Sequence, residues 1–95
     1  MSVPSFEWDA RKAASNLVRH HVAFEEAATT FSDPLAMVHS DPDHSDEERR
    51  GILIGHSESG RLLLASFAYR GSSIRIISAR VTTRREREQY EKDAD

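Results

Sequence analysis

Between Gly60 and Arg87 the chain carries seven arginines (Arg61, Arg70, Arg75, Arg80, Arg84, Arg85 and Arg87), a single acid, Glu86, and no lysine. A guanidinium stays protonated and presents a planar fork of donors that fits two phosphate oxygens at once, so an arginine-only basic segment is suited to reading phosphates. The acids lie elsewhere. Asp33, Asp41, Asp43, Asp46, Glu47 and Glu48 fall in a stretch with no Lys or Arg. The net charge of −3 therefore hides a strongly polar distribution. Histidines stand at positions 20, 21, 39, 44 and 56, and an imidazole is the side chain best suited to move a proton near neutral pH. His44 sits in the acidic stretch. His20 falls near a helix end, where a cation complements the dipole. Asp41, Asp43 and His44 form only a weak metal-ligand pattern, and no metal or cofactor is expected.

These residues need elements to hold them. Phe6-Glu7-Trp8-Asp9 alternates apolar and acidic residues like a short strand, and Asp9 is a suitable N-cap. Ala10 to His20 reads as a helix with Ala13, Ala14, Leu17 and Val18 as its core face. A second helix carries the stripe Phe24, Ala27, Ala28 and Phe31 and stops at Ser32-Asp33-Pro34. Leu35 to His39 suits an edge strand, and Asp41 to Glu48 an exposed loop. Gly51 to Ser57, Leu62 to Tyr69 and Ile74 to Arg80 are β-prone runs separated by glycine-containing turns, an antiparallel meander. The middle run is apolar on both alternations and belongs at the centre of a sheet covered on both sides. Thr83 to Glu86 forms a capping-box pattern for a last helix reaching about Lys92, whose only large apolar residue is Tyr90. Trp8 is read as a core residue.

The 95 residues allow one domain, spanning 1–95. No cysteine is present, which excludes a disulfide scaffold, a thiol nucleophile and cysteine-ligated zinc. The opening segment lacks the basic and apolar regions of a signal peptide, and the longest apolar run, Leu62 to Ala65, is too short to span a bilayer. A cytoplasmic protein with no membrane contact is expected.

Read in order, these motifs resemble the BrnT family. Phe6-Glu-Trp-Asp9, Lys12 and Asn16 correspond to the family's first helix, and His20, Val22-x-Phe24-Glu25-Glu26-Ala27 and Phe31-x-Asp33 to its second. Asp41-Pro-Asp43-His44-Ser45 with Glu48-Arg49 corresponds to the acidic loop, and Gly60-Arg61-Leu62-Leu63 to a hairpin. Arg75-Ile-Ile-Ser-Ala-Arg80 with Glu86 and Tyr90 corresponds to the final strand and helix, so the resemblance covers residues 6 to 91. Two positions depart from the family pattern: His21 replaces a usual glycine, and Val81 a common lysine.

The resemblance implies a RelE-like α+β fold, with two N-terminal helices on an antiparallel meander of three to four strands and a short C-terminal helix. It implies a toxin of a type II toxin–antitoxin pair, a metal-independent endoribonuclease that blocks translation. A BrnA-like antitoxin would hold it in a hetero-oligomer, and operator DNA would be reached only through that antitoxin. Cleavage of RNA through its 2′-OH requires stabilisation of the extra charge on the phosphate. Arg61, Arg75, Arg80 and His44 are the candidate catalytic residues, and Arg70, Arg84 and Lys12 the candidate RNA contacts. The arginine-rich third is also what an antitoxin is expected to mask. Arg75 and Arg80 are five residues apart, so a regular strand would point them to opposite faces unless a bulge intervenes. Two other readings remain: a non-catalytic subunit docking an acidic partner or nucleic acid through the same arginines, and a purely structural subunit.

Overall fold

The computed structural model describes residues 4–40 and 49–94. The chain runs β1 (Ser5–Glu7), α1 (Ala10–His20), α2 (Phe24–Thr29), a 3-10 turn (Thr30–Ser32), β2 (Met37–Ser40), β3 (Arg50–His56), β4 (Leu62–Arg70), β5 (Ser73–Val81) and α3 (Arg84–Ala94). The α+β class agrees with the sequence, but the sheet does not match the expected meander. It has five strands in the order β1-β5-β4-β3-β2 and is mixed, because β1 pairs parallel to β5. Three residues are too few to show a strand period, so neither the strand's partner nor its direction could be read from Phe6-Glu7 alone.

The local signals for α1 act as expected. Asp9 caps the helix by accepting a hydrogen bond from the Lys12 backbone N–H at 3.0 Å. At the other end His21 adopts a left-handed φ of 57°, and its N–H closes on the Leu17 carbonyl at 2.9 Å. That conformation favours glycine, and His21 adopts it here.

The face that α1 buries differs from the expected one. Leu17 is 50% exposed and Val18 76% exposed, whereas Asn16 is buried. The reason lies in the edge of β5. β1 covers β5 only from Ser73 to Arg75, which leaves the outer edge of β5 at Ala79, the side away from β4, without a strand neighbour. Asn16 supplies the missing pairing: its Nδ2 donates to the Ala79 carbonyl at 2.8 Å, and its Oδ1 accepts from the Ala79 N–H at 3.1 Å. The same Nδ2 donates to the Val22 carbonyl at 2.9 Å. Satisfying buried backbone groups outweighs turning two aliphatic side chains inward.

The core lies between α1, α2 and one face of the sheet. It is formed by Val22, Phe24, Ala27, Leu63, Ala65, Ile76 and Ala79, with Phe6, Trp8, Ala13, Ala28 and Phe31 packed around them. Phe31 stacks edge-on against Phe6 and Phe67 with centroids 5.2 and 5.1 Å apart, tying β1, the 3-10 turn and β4 together. The opposite face carries Ile52, Ile54, Leu64, Ser66, Ser78 and Arg80 by strand alternation and register. Residue α3 uses against this side is Tyr90, which is buried and sets its ring 5.3 Å from His56. The capping box forms as expected, with Glu86 N–H on Thr83 Oγ1 (3.2 Å) and Thr83 N–H on Glu86 Oε1 (2.8 Å).

Candidate active site

Two ionisable clusters brace the fold. In the first, Glu26 on α2 accepts from the hydroxyls of Ser57 (2.7 Å) and Ser59 (2.6 Å) and from Arg61 Nε (2.9 Å), while its other oxygen accepts from Arg61 Nη2. Arg61 Nη2 also donates to the His21 carbonyl at 3.0 Å. The Arg61 hydrogen bonds, helped by those of Ser59 and Ser57 and opposed by burial, hold the Glu26 carboxyl at about 2. In the second cluster Asp33 Oδ2 accepts from the His56 N–H (2.7 Å) and the Tyr90 hydroxyl (3.2 Å). Burial pushes the Asp33 carboxyl up, but these donors and the Leu35 N–H outweigh it and leave it below its ordinary value. Burial, then the neighbouring Asp33 charge, raises the Tyr90 hydroxyl.

A carboxyl lowered from 4.5 to about 2 stabilises the fold above pH 4.5, and its contribution is lost as the pH falls toward 2. Glu86 is lowered to about 2 as well, first by Arg80. Urea midpoints are therefore expected to fall between pH 5 and pH 2.5, and Glu26→Gln is expected to flatten that fall. A midpoint unchanged over this range would contradict the assignment.

Between the end of α1 and the start of α3, a groove of about 420 Å³ opens on the sheet face away from the core. His20, Ile52, Leu64, Ser66, Ser78, Arg80 and Glu86 line it. A smaller cavity of about 170 Å³ adjoins it, lined in part by Lys12, Arg19, His20 and Ser78, so His20 and Ser78 belong to both. Across the groove Arg80 Nη1 and Nη2 donate to Glu86 Oε1 (2.8 Å) and Oε2 (2.9 Å). The Glu86 hydrogen bond is the main cause raising the already high value of Arg80. The cations Lys12, Arg19 and Arg80 outnumber the single acid Glu86 among these lining residues, a surface that attracts phosphate.

The strand register answers the spacing problem of Arg75 and Arg80. Ser66 pairs with Ser78 and Phe67 with Ile76, so Ile77 is the extra residue of a bulge in β5. Arg75 faces Ala68 and Arg80 faces Leu64, both on the same side of β4. The two arginines thus share the groove's face, separated by about 13 Å along the strand. Arg75 lies 3.6 Å from Glu7.

The remaining candidates are dispersed. Arg61 is turned toward Glu26, on the side where α2 meets the β3–β4 turn. Arg70 ends β4 and is exposed. Arg84 opens α3 and pairs with Glu88 at 3.2 Å. Lys12 lines the smaller cavity. His44, like Asp41 and Asp43, lies outside the described residues. Among the described residues no group of three or more His, Cys, Asp or Glu side chains is placed to hold a metal ion, and no helix is long and apolar enough to cross a membrane. In the sequence His20 reads as a helix-end residue, and nothing there singles out Ser66 or Ser78. Only the bulge and the packing of α1 bring these three together with Arg80.

Comparison with known proteins bears on the family and the fold. A family model described as the ribonuclease toxin BrnT of type II toxin–antitoxin systems matches residues 8–86. The crystal structure of the Brucella abortus ribonuclease toxin BrnT superposes with a TM-score of 0.65 at 22% identity, covering 86% of this chain and 100% of that one. No curated protein sequence matches the chain. With residues 8–86 of its 95 matched by the family model, the chain belongs to the BrnT family of ribonuclease toxins of type II toxin–antitoxin systems.

Proposed function

We propose that this chain is itself an endoribonuclease toxin of the RelE-like kind, acting without a metal from the groove between α1 and α3. The observation that supports this most directly is the convergence of His20, Ser66, Ser78 and Arg80 in one groove, with Lys12 and Arg19 lining the smaller cavity that shares His20 and Ser78. In this reading an RNA phosphate takes the place of the Glu86 carboxylate on the Arg80 fork. The His20 imidazole removes the 2′-OH proton, the 2′ oxygen forms a bond to phosphorus, and the bond from phosphorus to the 5′ oxygen breaks. Water protonates the departing 5′ oxygen, leaving a 2′,3′-cyclic phosphate and a 5′-hydroxyl. Arg80 neutralises the charge that gathers on the phosphate, and Ser66 and Ser78 donate hydrogen bonds to its oxygens or to the ribose. Arg75, Arg70 and Arg84 hold flanking phosphates. Arg61 serves as a brace for Glu26 rather than as a catalytic group, because Glu26 engages both its Nε and its Nη2. His44, outside the described residues, remains a candidate proton carrier. The toxin acts in the cytoplasm, is silenced by a BrnA-like antitoxin, and meets operator DNA only through that antitoxin.

The test is cleavage of a short RNA by the purified chain in excess EDTA, beside the same RNA carrying 2′-O-methyl groups. The expected result is cyclic-phosphate products from the first and none from the second. Cleavage of both, or activity only on addition of a divalent metal, would contradict the mechanism. The bidentate hold of Glu86 on Arg80 favours a second reading, in which the groove binds RNA without cutting it. RNA affinity with no product at any stage would select that reading.

A further inference from the structure

The first helix presents a second face that its own chain does not use. Ala10, Ala14, Leu17 and Val18 follow one another at helical spacing, and all four are exposed. Most of the apolar side of α1 therefore points to water, because Asn16 fixes the opposite side against β5. The stripe is about 12 Å long, a little over two turns of helix. Arg11, Lys12, Ser15 and Arg19 lie along one flank, and no acid occurs between Ala10 and Val22.

We infer that this face of α1 is the seat of the antitoxin, specifically of an amphipathic antitoxin helix of two or more turns whose apolar stripe is bordered by Asp and Glu on one side. Charge selects this occupant. A second copy docking α1 on α1 about a two-fold axis would bring Arg11, Lys12 and Arg19 against their own equivalents. The other long helix of a second copy, α3, carries four acids and four cations and buries its one large apolar side chain, Tyr90, so it has no apolar stripe to set against Leu17 and Val18. RNA would gain nothing from Leu17 and Val18. An acidic amphipathic helix satisfies both the apolar stripe and the basic flank.

The position also accounts for inhibition, and this part rests on the ribonuclease reading above. Lys12 and Arg19 rim the smaller cavity, which shares His20 and Ser78 with the groove. A helix seated on Leu17 and Val18 with its acids toward Arg11 and Arg19 neutralises cations that an RNA approaching the smaller cavity would meet. The antitoxin would then mask the groove from α1 as well as from the arginine-rich third.

The test uses the full chain and its cognate antitoxin in a calorimetric titration, with RNA cleavage followed in parallel. Val18→Glu sets a charge against the partner's apolar stripe, beside its bordering acids, and is expected to weaken binding by at least about 100-fold, the scale of a hot-spot residue. Val18→Leu is expected to bind within about threefold of the wild type. Ala14→Glu repeats the test on the same stripe should Val18→Glu melt early. Binding of both glutamate variants at wild-type affinity would overturn the inference. If the glutamate variants lose the antitoxin but the wild type never cleaves RNA, the docking face stands and the ribonuclease reading fails. If RNA is cleaved and the antitoxin still silences the glutamate variants, the ribonuclease reading stands and the docking face fails.

Discussion

Arg80→Ala is expected to lower the rate of RNA cleavage by about 10²–10³-fold, the usual cost of removing one donor aimed at developing charge. Arg80 is the arginine that lines the groove, and its two terminal nitrogens already hold a carboxylate, Glu86, in the fork geometry that a phosphate would adopt. Loss of this group removes both an anchor and a charge, so the defect should fall mainly on turnover. Arg80→Lys should recover only part of it, because an ammonium keeps the charge without the fork. The fold should survive. Arg80 is only part-buried, and the Glu86 carboxylate left behind still accepts from the Thr83 N–H. Single-turnover rates beside a thermal melt check both statements, and an Arg80→Ala variant that cleaves like the wild type would remove Arg80 from the site.

Asn16→Ala is expected to destabilise the fold by about 2–4 kcal/mol. The side chain makes three buried hydrogen bonds, and its loss leaves the Ala79 N–H and carbonyl and the Val22 carbonyl without the partners they have now. Each buried backbone group left unpaired costs about 1–3 kcal/mol, and partial access of water keeps the total below the full sum. Asn16→Asp should be no better, since its carboxylate would face two carbonyl oxygens. Because Asn16 seats α1 on β5, and α1 carries His20 and Lys12, the same change should also loosen the groove. Urea midpoints give the magnitude. A loss below about 0.5 kcal/mol, the range of an ordinary surface change, would contradict the strand-edge role.

The parts legible in the sequence are those decided by neighbours in the chain. The Asp9 cap, the stripe Phe24, Ala27, Ala28 and Phe31, the strand runs of β3, β4 and β5, and the Thr83–Glu86 capping box all appear where local spacing puts them, within a residue or two. The illegible parts depend on contacts far along the chain. β1 is three residues long and gains its direction from pairing with Ser73 to Arg75. The orientation of α1 follows one buried amide against the edge of β5, which the apolar spacing of Leu17 and Val18 outvotes in any local reading. The candidate site was half legible. The arginine content of the last third is visible in the sequence, but the extra residue Ile77 that turns Arg75 and Arg80 to one face is visible only in the register. His20 resembles any helix-end histidine until α1 is docked. Arg61 shows the converse: it stands out as a turn arginine, and its partner Glu26 belongs to a helix far upstream.

The most direct test compares wild type, His20→Ala and Arg61→Ala for cleavage of one RNA in EDTA, at a temperature where all three are folded. The account predicts that His20→Ala loses about 100-fold or more in turnover, the scale of general base catalysis, while Arg61→Ala is less stable yet cleaves at nearly the wild-type rate. Full activity in His20→Ala with loss of activity in folded Arg61→Ala would contradict it and move the site to the Glu26 side of the molecule.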